Sequence, residues 1–180
     1  MKLIIEGCDL SGKTTAIEKI TKYYNSGITI KNNFKPKTSN NSTIYKHYHK
    51  ILDLCEKLPF EDTVVLDRFF PSQLVYSYLR GFDELKQLMP REFIITNRCK
   101  DLNFVLVYLN TNLNTLEERY KIRGDEHIKL KDLKEIKSRY DTYFDRCDLN
   151  KILVDTTKKN WLEALNDDLE ALSNHSNIYI

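Results

Sequence analysis

Glu6-Gly7-Cys8-Asp9-Leu10-Ser11-Gly12-Lys13-Thr14-Thr15, preceded by the apolar run Leu3-Ile4-Ile5, decides how this chain of 180 residues is read. The stretch has the form G-x-x-x-x-G-K-[ST], with a short buried-strand pattern before it and helical spacing at Ile17 and Ile20 after it. In such a loop successive backbone N–H groups point inward and cradle the oxygens of a nucleoside triphosphate. The lysine, here Lys13, reaches the outer phosphates, and the next hydroxyl, Thr14, can ligate Mg²⁺. The anion then lies on a helix N-terminus, where orphan N–H groups and the helix dipole favour negative charge. Two of only five glycines, Gly7 and Gly12, occupy the two fixed positions. A chance match on a Gly/Lys turn would require neither the strand before it nor the helix after it.

Working outward, apolar runs alternate with amphipathic stretches, the pattern of a parallel sheet covered by helices. Strands are expected at 2–6, 28–31, 63–67, 104–110 and 151–155, and helices at 13–24, 42–58, 72–79, 83–100, 113–122, 130–144 and 161–172. Pro90 is expected to break the fourth helix or to start a new one. In the last helix Leu162, Leu165, Leu169 and Leu172 share one face, which is core packing. Polar stretches at 32–41 and 124–131 read as mobile loops within one domain spanning 1–180. The class is α/β, with ligands expected at the carboxyl ends of the strands.

Bulk properties narrow the function classes. A net charge of +2 with 30% charged residues points to neither nucleic acid nor membrane as partner. Cys8, Cys55, Cys99 and Cys147 are widely spaced, which fits neither a disulfide framework nor a zinc site and suggests reduced thiols in a cytoplasm. A strand pattern begins at once, leaving no room for a signal peptide, and no stretch approaches a membrane span.

A second segment carries chemistry. Thr63-Val64-Val65-Leu66-Asp67-Arg68-Phe69-Phe70 is an apolar strand ending in an acid and a base. In a parallel sheet Asp67 emerges at the same edge as the phosphate loop, where a carboxylate can hold Mg²⁺ through water. Arg68 can grip a phosphate with a bidentate fork, which lysine cannot. The plain alternative is a solvated ion pair at a strand end.

Together the two segments resemble the thymidylate kinase family. Its loop pattern E-G-x-D-x-S-G-K-T-T is matched by residues 6–15. Its second pattern, D-R-[YHF]-x-x-S-x-x-A-Y, is matched by Asp67 to Tyr76 except at Val75. Leu116-Glu117-Glu118-Arg119, Arg123-Gly124 and Arg139-Tyr140 stand at the spacings of that family's lid helices, and the closing strand 152–155 with its Leu-striped helix also fits. The resemblance implies a three-layer P-loop kinase fold with about five parallel strands, helices on both faces and a mobile lid at about 121–131. It also implies transfer of the ATP γ-phosphoryl to a deoxynucleoside 5′-monophosphate, dTMP to dTDP in the family, with Mg²⁺ as cofactor. Relatives are commonly homodimers packed through helices beside the second segment.

Carried over position by position, the resemblance implies that Gly7, Asp9, Leu10, Ser11, Gly12, Lys13, Thr14 and Thr15 bind ATP. Thr14 and Asp67 would serve the metal, or Asp67 would orient the acceptor, and Arg68 would clamp the acceptor phosphate. Asp9 would approach the acceptor 3′-hydroxyl or the metal shell. Gln73 and Tyr76 would meet the base and exclude a 2′-hydroxyl, Tyr76 alternatively being ordinary helix core. Leu10 occupies a position where some members carry a catalytic arginine, so Arg119 and Arg123 are expected to supply it from the lid, with Lys121, Lys129 and Lys131 in support. A charge-rich solvated surface is the alternative for Arg123, and an ion pair with a nearby acid for Arg119.

Three departures bear on substrate. The lid continues Asp125-Glu126-His127-Ile128-Lys129 where many members have D-R. The region expected to read R-E-P is Asn33-Phe34-Lys35-Pro36-Lys37, in which Phe34 or Lys35 could replace the usual contacts. The segment usually reading F-x-x-x-R is Thr43-Ile44-Tyr45-Lys46-His47-Tyr48-His49, with His47 near the arginine position and Tyr45 or Tyr48 as a stacking face. The i, i+2 spacing of His47 and His49 puts them on different helix faces, against a shared metal. Two other functions compete: a deoxynucleoside kinase acting on a 5′-hydroxyl, and a nucleotide-binding regulatory module with degenerate catalysis. Asp9, and Phe69 after Asp67-Arg68, favour the monophosphate kinase.

Overall fold

The computed structural model describes residues 1–24, 27–32, 41–59, 61–81, 85–125 and 128–176. Five strands, β1 (Lys2–Glu6), β2 (Ile28–Lys31), β3 (Val64–Asp67), β4 (Phe104–Asn110) and β5 (Asn150–Asp155), form one parallel sheet in the order β2-β3-β1-β4-β5. The helices between them are α1 (Lys13–Tyr23), α2 (Asn41–Lys57), α3 (Phe70–Tyr76), α4 (Leu85–Asp101), α5 (Leu113–Arg123), α6 (Leu133–Arg146) and α7 (Trp161–Ser176). This is the α/β architecture expected from the alternation.

Strand periodicity explains the layers. Successive side chains of a strand point to opposite faces, and β1 divides its apolar residues accordingly. Leu3 and Ile5 pack with Ala16, Ile17 and Ile20 of α1 and with Leu165 and Leu169 of α7. Ile4 packs on the other face with Ile44, Tyr48 and Leu52 of α2, Leu74 of α3, and Ile95 and Cys99 of α4. Both faces are covered, which is why the strands read as nearly continuous apolar runs. A third cluster at the carboxyl edge joins Cys8, Val75, Leu116, Ile128, Leu133, Ile136 and Tyr140, uniting α3, α5 and α6 above the strand ends.

Two expectations are corrected. α4 runs unbroken through Pro90. Only the five residues 85–89 of that helix precede the proline, so its missing N–H forfeits a single bond close to the helix start. α3 begins at Phe70, with Pro71 in its first turn where a missing N–H costs nothing, and gives way at Ser77–Arg80 to a 3₁₀ turn. All four cysteines are free and buried. Among the described residues no helix is long and apolar enough to cross a membrane.

β1 lies at the point where the chain order reverses: β1 pairs with β3 on one side and β4 on the other. In open parallel sheets the crevice at that point is where ligands bind. The register sets Ile5 beside Asp67 and Glu6 beside Tyr108, so the loop after β1 and the turn after β3 leave the sheet side by side.

Candidate active site

The loop from Gly7 to Thr15 depends on backbone that glycine permits. Gly7 has φ 150°, and a Cβ there would lie 2.7 Å from Ser11 Oγ and 2.8 Å from the Leu109 carbonyl oxygen. Gly12 has φ 94° and ends the loop as the residue preceding α1. Leu10 also takes a positive φ, 68°, without being glycine. α1 starts with neither a side-chain cap nor an acid in its first turn, which leaves its first N–H groups to an anion. Lys13 Nζ donates to the carbonyl oxygens of Gly7 (2.8 Å) and Cys8 (2.5 Å), so the ammonium is curled into the loop. Burial, then the neighbouring Arg68, lowers its pKa to about 8.

Beside the loop, Arg68 sits on strained backbone with φ 65°. Its Nη2 pairs with Asp9 Oδ1. Its Nη1 donates to the Tyr140 hydroxyl (3.0 Å), Ser72 Oγ (3.3 Å), the Tyr76 hydroxyl (3.4 Å) and the Gly7 carbonyl (3.5 Å). The Tyr76 hydroxyl donates in turn to Asp9 Oδ2 at 2.6 Å. Burial works to raise the Asp9 carboxyl, but Arg68, Lys13 and the Tyr76 hydroxyl outweigh it and hold it below the usual carboxylate range. Burial likewise opposes charge on Arg68, yet Tyr76, Tyr140, Asp9 and Glu6 keep the guanidinium protonated.

A cleft of about 620 Å³ opens over these groups. Asp9, Lys13, Thr14, Thr15, Asp67 and Arg68 line it together with Arg119, Ile122 and Arg123 of α5, and Trp161 lies next to Gly12. Among the described residues Arg119 pairs with no acid: Nη1 donates to the Leu10 carbonyl (2.8 Å) and Nη2 to the Thr156 carbonyl (3.2 Å), tying α5 to the loop. Arg123 is exposed and also lines the cleft. Leu10 and Gly12 line the cleft, whereas Gly7 and Ser11 lie behind its lining. Within the lid segment Ile128 is buried, its amide bonded to Asp125 Oδ1 (3.1 Å) and its carbonyl to the Tyr120 hydroxyl (3.1 Å).

On the α2 side the outcome differs. His47 Nε2 meets Asn32 Oδ1 at 3.0 Å, and burial, then Lys50, lowers the imidazole pKa. His49 turns elsewhere, to Arg98 at 2.7 Å, as the helical spacing requires. Tyr48 does not offer a stacking face: it is buried and meets Phe69 and Phe70 edge-on at 4.9 and 5.2 Å between ring centroids. An apolar ring on the inward stripe of an amphipathic helix goes to the core. Tyr45 is half-buried, edge-on to His49 at 4.0 Å. Gln73 is buried in α3, and Phe34 lies outside the described residues.

Four groups at the site receive no role from the sequence, although Glu6, Ser72 and Tyr140 stand at fixed positions of the matched patterns. Glu6 ends an apolar strand, Ser72 and Tyr140 sit in otherwise ordinary helices, and Trp161 opens α7. Only the acid closing β1 stands out, and nothing beside it in sequence tells what it faces.

Comparison with known proteins fits this geometry. No family model matches the chain. The SPbeta prophage-derived uncharacterized protein YorR of Bacillus subtilis (strain 168) is 29% identical over 154 residues, covering 86% of this chain and 88% of that protein. The crystal structure of YorR, in complex with phosphorylated GDP, superimposes with a TM-score of 0.76 at 27% identity over 98% of both chains. Deoxyadenosine kinase from M. mycoides with bound dCTP gives 0.60 at 20% identity, over 95% of this chain and all (100%) of that one. Thymidylate kinase from Candida albicans gives 0.60 at 18% identity, over 97% and 92%. The chain has the P-loop kinase fold.

Proposed function

We propose that this protein is a nucleoside monophosphate kinase, transferring the γ-phosphoryl of ATP to the phosphate of a deoxynucleoside 5′-monophosphate, with dTMP the acceptor implied by the resemblance to thymidylate kinases. The observation that carries this reading is the Arg68 guanidinium, paired with Asp9 and Tyr76, lining the same cleft as Lys13 and Thr14. A phosphate-loop cation and a bidentate-capable arginine lining one cleft suit two phosphates meeting end to end.

In this reading the loop amides and α1 hold the donor phosphates, and Lys13 turns from the Gly7 and Cys8 carbonyls toward them. Arg68 exchanges part of its contact with Asp9 for the acceptor phosphate. Asp9 and Tyr76 face the acceptor sugar. Arg119 and Arg123 line the same cleft, from where they would meet the charge that develops on the transferring group. Thr14 and Asp67 supply one hydroxyl and one carboxylate to the cleft, the small hard-oxygen set that suits Mg²⁺ carried on phosphates. When bound there, Mg²⁺ neutralises phosphate charge. Catalysis is then positioning and electrostatics, as phosphoryl transfer requires. A homodimer packed beside α3 belongs to the same proposal.

A second reading follows from YorR, whose crystal structure holds phosphorylated GDP: the nucleotide handled is a guanine one. An acceptor panel with ATP and Mg²⁺ decides, using dTMP, dUMP, dGMP, dCMP, dAMP and thymidine. Acceptor-dependent ADP formation that is lost in Lys13→Ala is expected with a monophosphate. Transfer to dGMP alone selects the guanine reading, and transfer to thymidine alone selects a nucleoside kinase. ATP binding without transfer to any acceptor rejects the enzyme.

A further inference from the structure

Glu6 is a carboxylate 1% exposed at the last position of β1, and among the described residues it pairs with no cation and does not line the cleft. Oε1 accepts the backbone N–H of Phe69 at 2.7 Å and of Ser72 at 3.3 Å. Oε2 accepts from Ser72 Oγ at 2.6 Å and from the Tyr140 hydroxyl at 3.1 Å. Ser72 Oγ and the Tyr140 hydroxyl are also within 2.9 Å of each other, and both accept from Arg68 Nη1. A single buried acid thus joins β1, the turn after β3, α3 and α6.

We propose that Glu6 is a positioning residue for the phosphate-gripping arginine, fixing the Asp67-Arg68-Phe69 turn through its backbone bonds and aiming the Ser72 and Tyr140 lone pairs at the Arg68 guanidinium. The proposal rests on reading Arg68 as the group that grips the acceptor phosphate. Two physical points carry it. Arg68 holds a positive φ that a side chain with a Cβ adopts only when its surroundings impose it. The imposing contacts are Arg68 N to the Ile5 carbonyl (3.2 Å) and Phe69 N to Glu6, which pin the turn to β1 on both sides of the strained residue.

The second point is hydrogen direction. A carboxylate only accepts, whereas a hydroxyl has one proton and two lone pairs. With Glu6 Oε2 taking hydroxyl protons from this trio, those of Ser72 and Tyr140 point at Glu6 or at each other. Their lone pairs are left for Nη1. An amide in place of the acid would present N–H to both hydroxyls, take one lone pair of each and free their protons to turn toward the guanidinium. Glu6→Gln therefore keeps shape and volume but reverses the sense of the relay. Burial raises the carboxyl pKa against Arg68, Ser72 and the Phe69 amide, so the site spends folding stability on this acid.

The test compares wild type, Glu6→Gln and Tyr140→Phe, the last removing one hydroxyl without touching the backbone bonds. Expected in Glu6→Gln is a rise of about 10- to 100-fold in the KM for the monophosphate acceptor, the range for losing bonds to a charged group. The dissociation constant for ADP should stay within about twofold, since the donor loop is not involved. Tyr140→Phe should give a smaller rise in the same direction and carries the test alone if Glu6→Gln does not fold. Combined with Arg68→Lys, Glu6→Gln should add little further, because both act through one group. Lowered thermal stability with acceptor KM unchanged in both variants would overturn the proposal. If the wild type phosphorylates no monophosphate, the kinase reading fails separately, and ¹⁵N resonances of the Arg68 guanidinium decide. Slowly exchanging side-chain signals in wild type that broaden in Glu6→Gln and Tyr140→Phe support positioning, and identical spectra reject it.

Discussion

If Lys13 meets the donor polyphosphate as proposed, donor affinity depends on pH in a definite direction. Its ammonium is held by two neutral carbonyl oxygens and faces Arg68, and burial with that repulsion lowers its pKa to about 8. Bound polyphosphate favours the charged form, so binding takes up a proton whenever the empty protein lacks one. With a pKa of about 8, Lys13 is roughly nine-tenths charged at pH 7 and one-tenth charged at pH 9. The dissociation constant for ADP or a non-hydrolysable ATP analogue should then rise about tenfold over that interval. Stability of the empty protein moves oppositely. The unfolded lysine titrates at its ordinary 10.5, so from about 8 to 10.5 the unfolded chain binds the extra proton. The penalty of the buried charge is complete below pH 8 and is relieved as pH rises through that window. Other site groups stay out of it: burial holds His47 below 6.5 and pushes Cys8 up to about 12. Titration calorimetry in buffers of different ionisation enthalpy should find about half a proton taken up at pH 8. An affinity flat from pH 7 to 9, or the same slope in Lys13→Met, would contradict this account.

Gly7→Ala should abolish donor binding and cost about 3 kcal/mol in chemical unfolding, because its Cβ would meet Ser11 Oγ at 2.7 Å and the Leu109 carbonyl at 2.8 Å. The two α5 arginines should separate. Arg119→Ala releases bonds to the Leu10 and Thr156 carbonyls, lowering stability by about 1–2 kcal/mol and raising donor KM. Arg123→Ala, exposed on the cleft wall, should leave the melting temperature in place while kcat falls about 10²-fold. Leu52→Ala, in the fully buried cluster between α2 and the sheet, should destabilise by about 3 kcal/mol in urea unfolding without changing either KM.

Much of the site is legible because its chemistry is local. The glycines of the loop, Lys13 and Thr14 are consecutive or nearly so, and a loop of this form carries its geometry in its own backbone. Asp67 and Arg68 are readable because an acid and a base end an apolar strand. Tyr76 was readable only through family resemblance, and its contact with Asp9 joins residues 67 positions apart. The misread positions have different causes. Tyr48 lies on a helix with aromatic residues at several nearby positions, and only the docking angle of α2 sends it toward Phe69 and Phe70 rather than a ligand. Pro90 stands close enough to the start of α4 for the helix to absorb it.

The order of strands and helices, the two-faced core and the phosphate loop were thus determined by the sequence itself, since residue periodicity and turn chemistry act over a few neighbours. Tertiary structure decided what converges on Arg68. Glu6, Asp9, Ser72, Tyr76 and Tyr140 come from β1, the loop after it, α3 and α6, and they meet because the β1–β3 register puts Ile5 beside Asp67. Hydrogen bonds between such distant groups depend on ångström-scale placement of whole elements, which local periodicity does not encode.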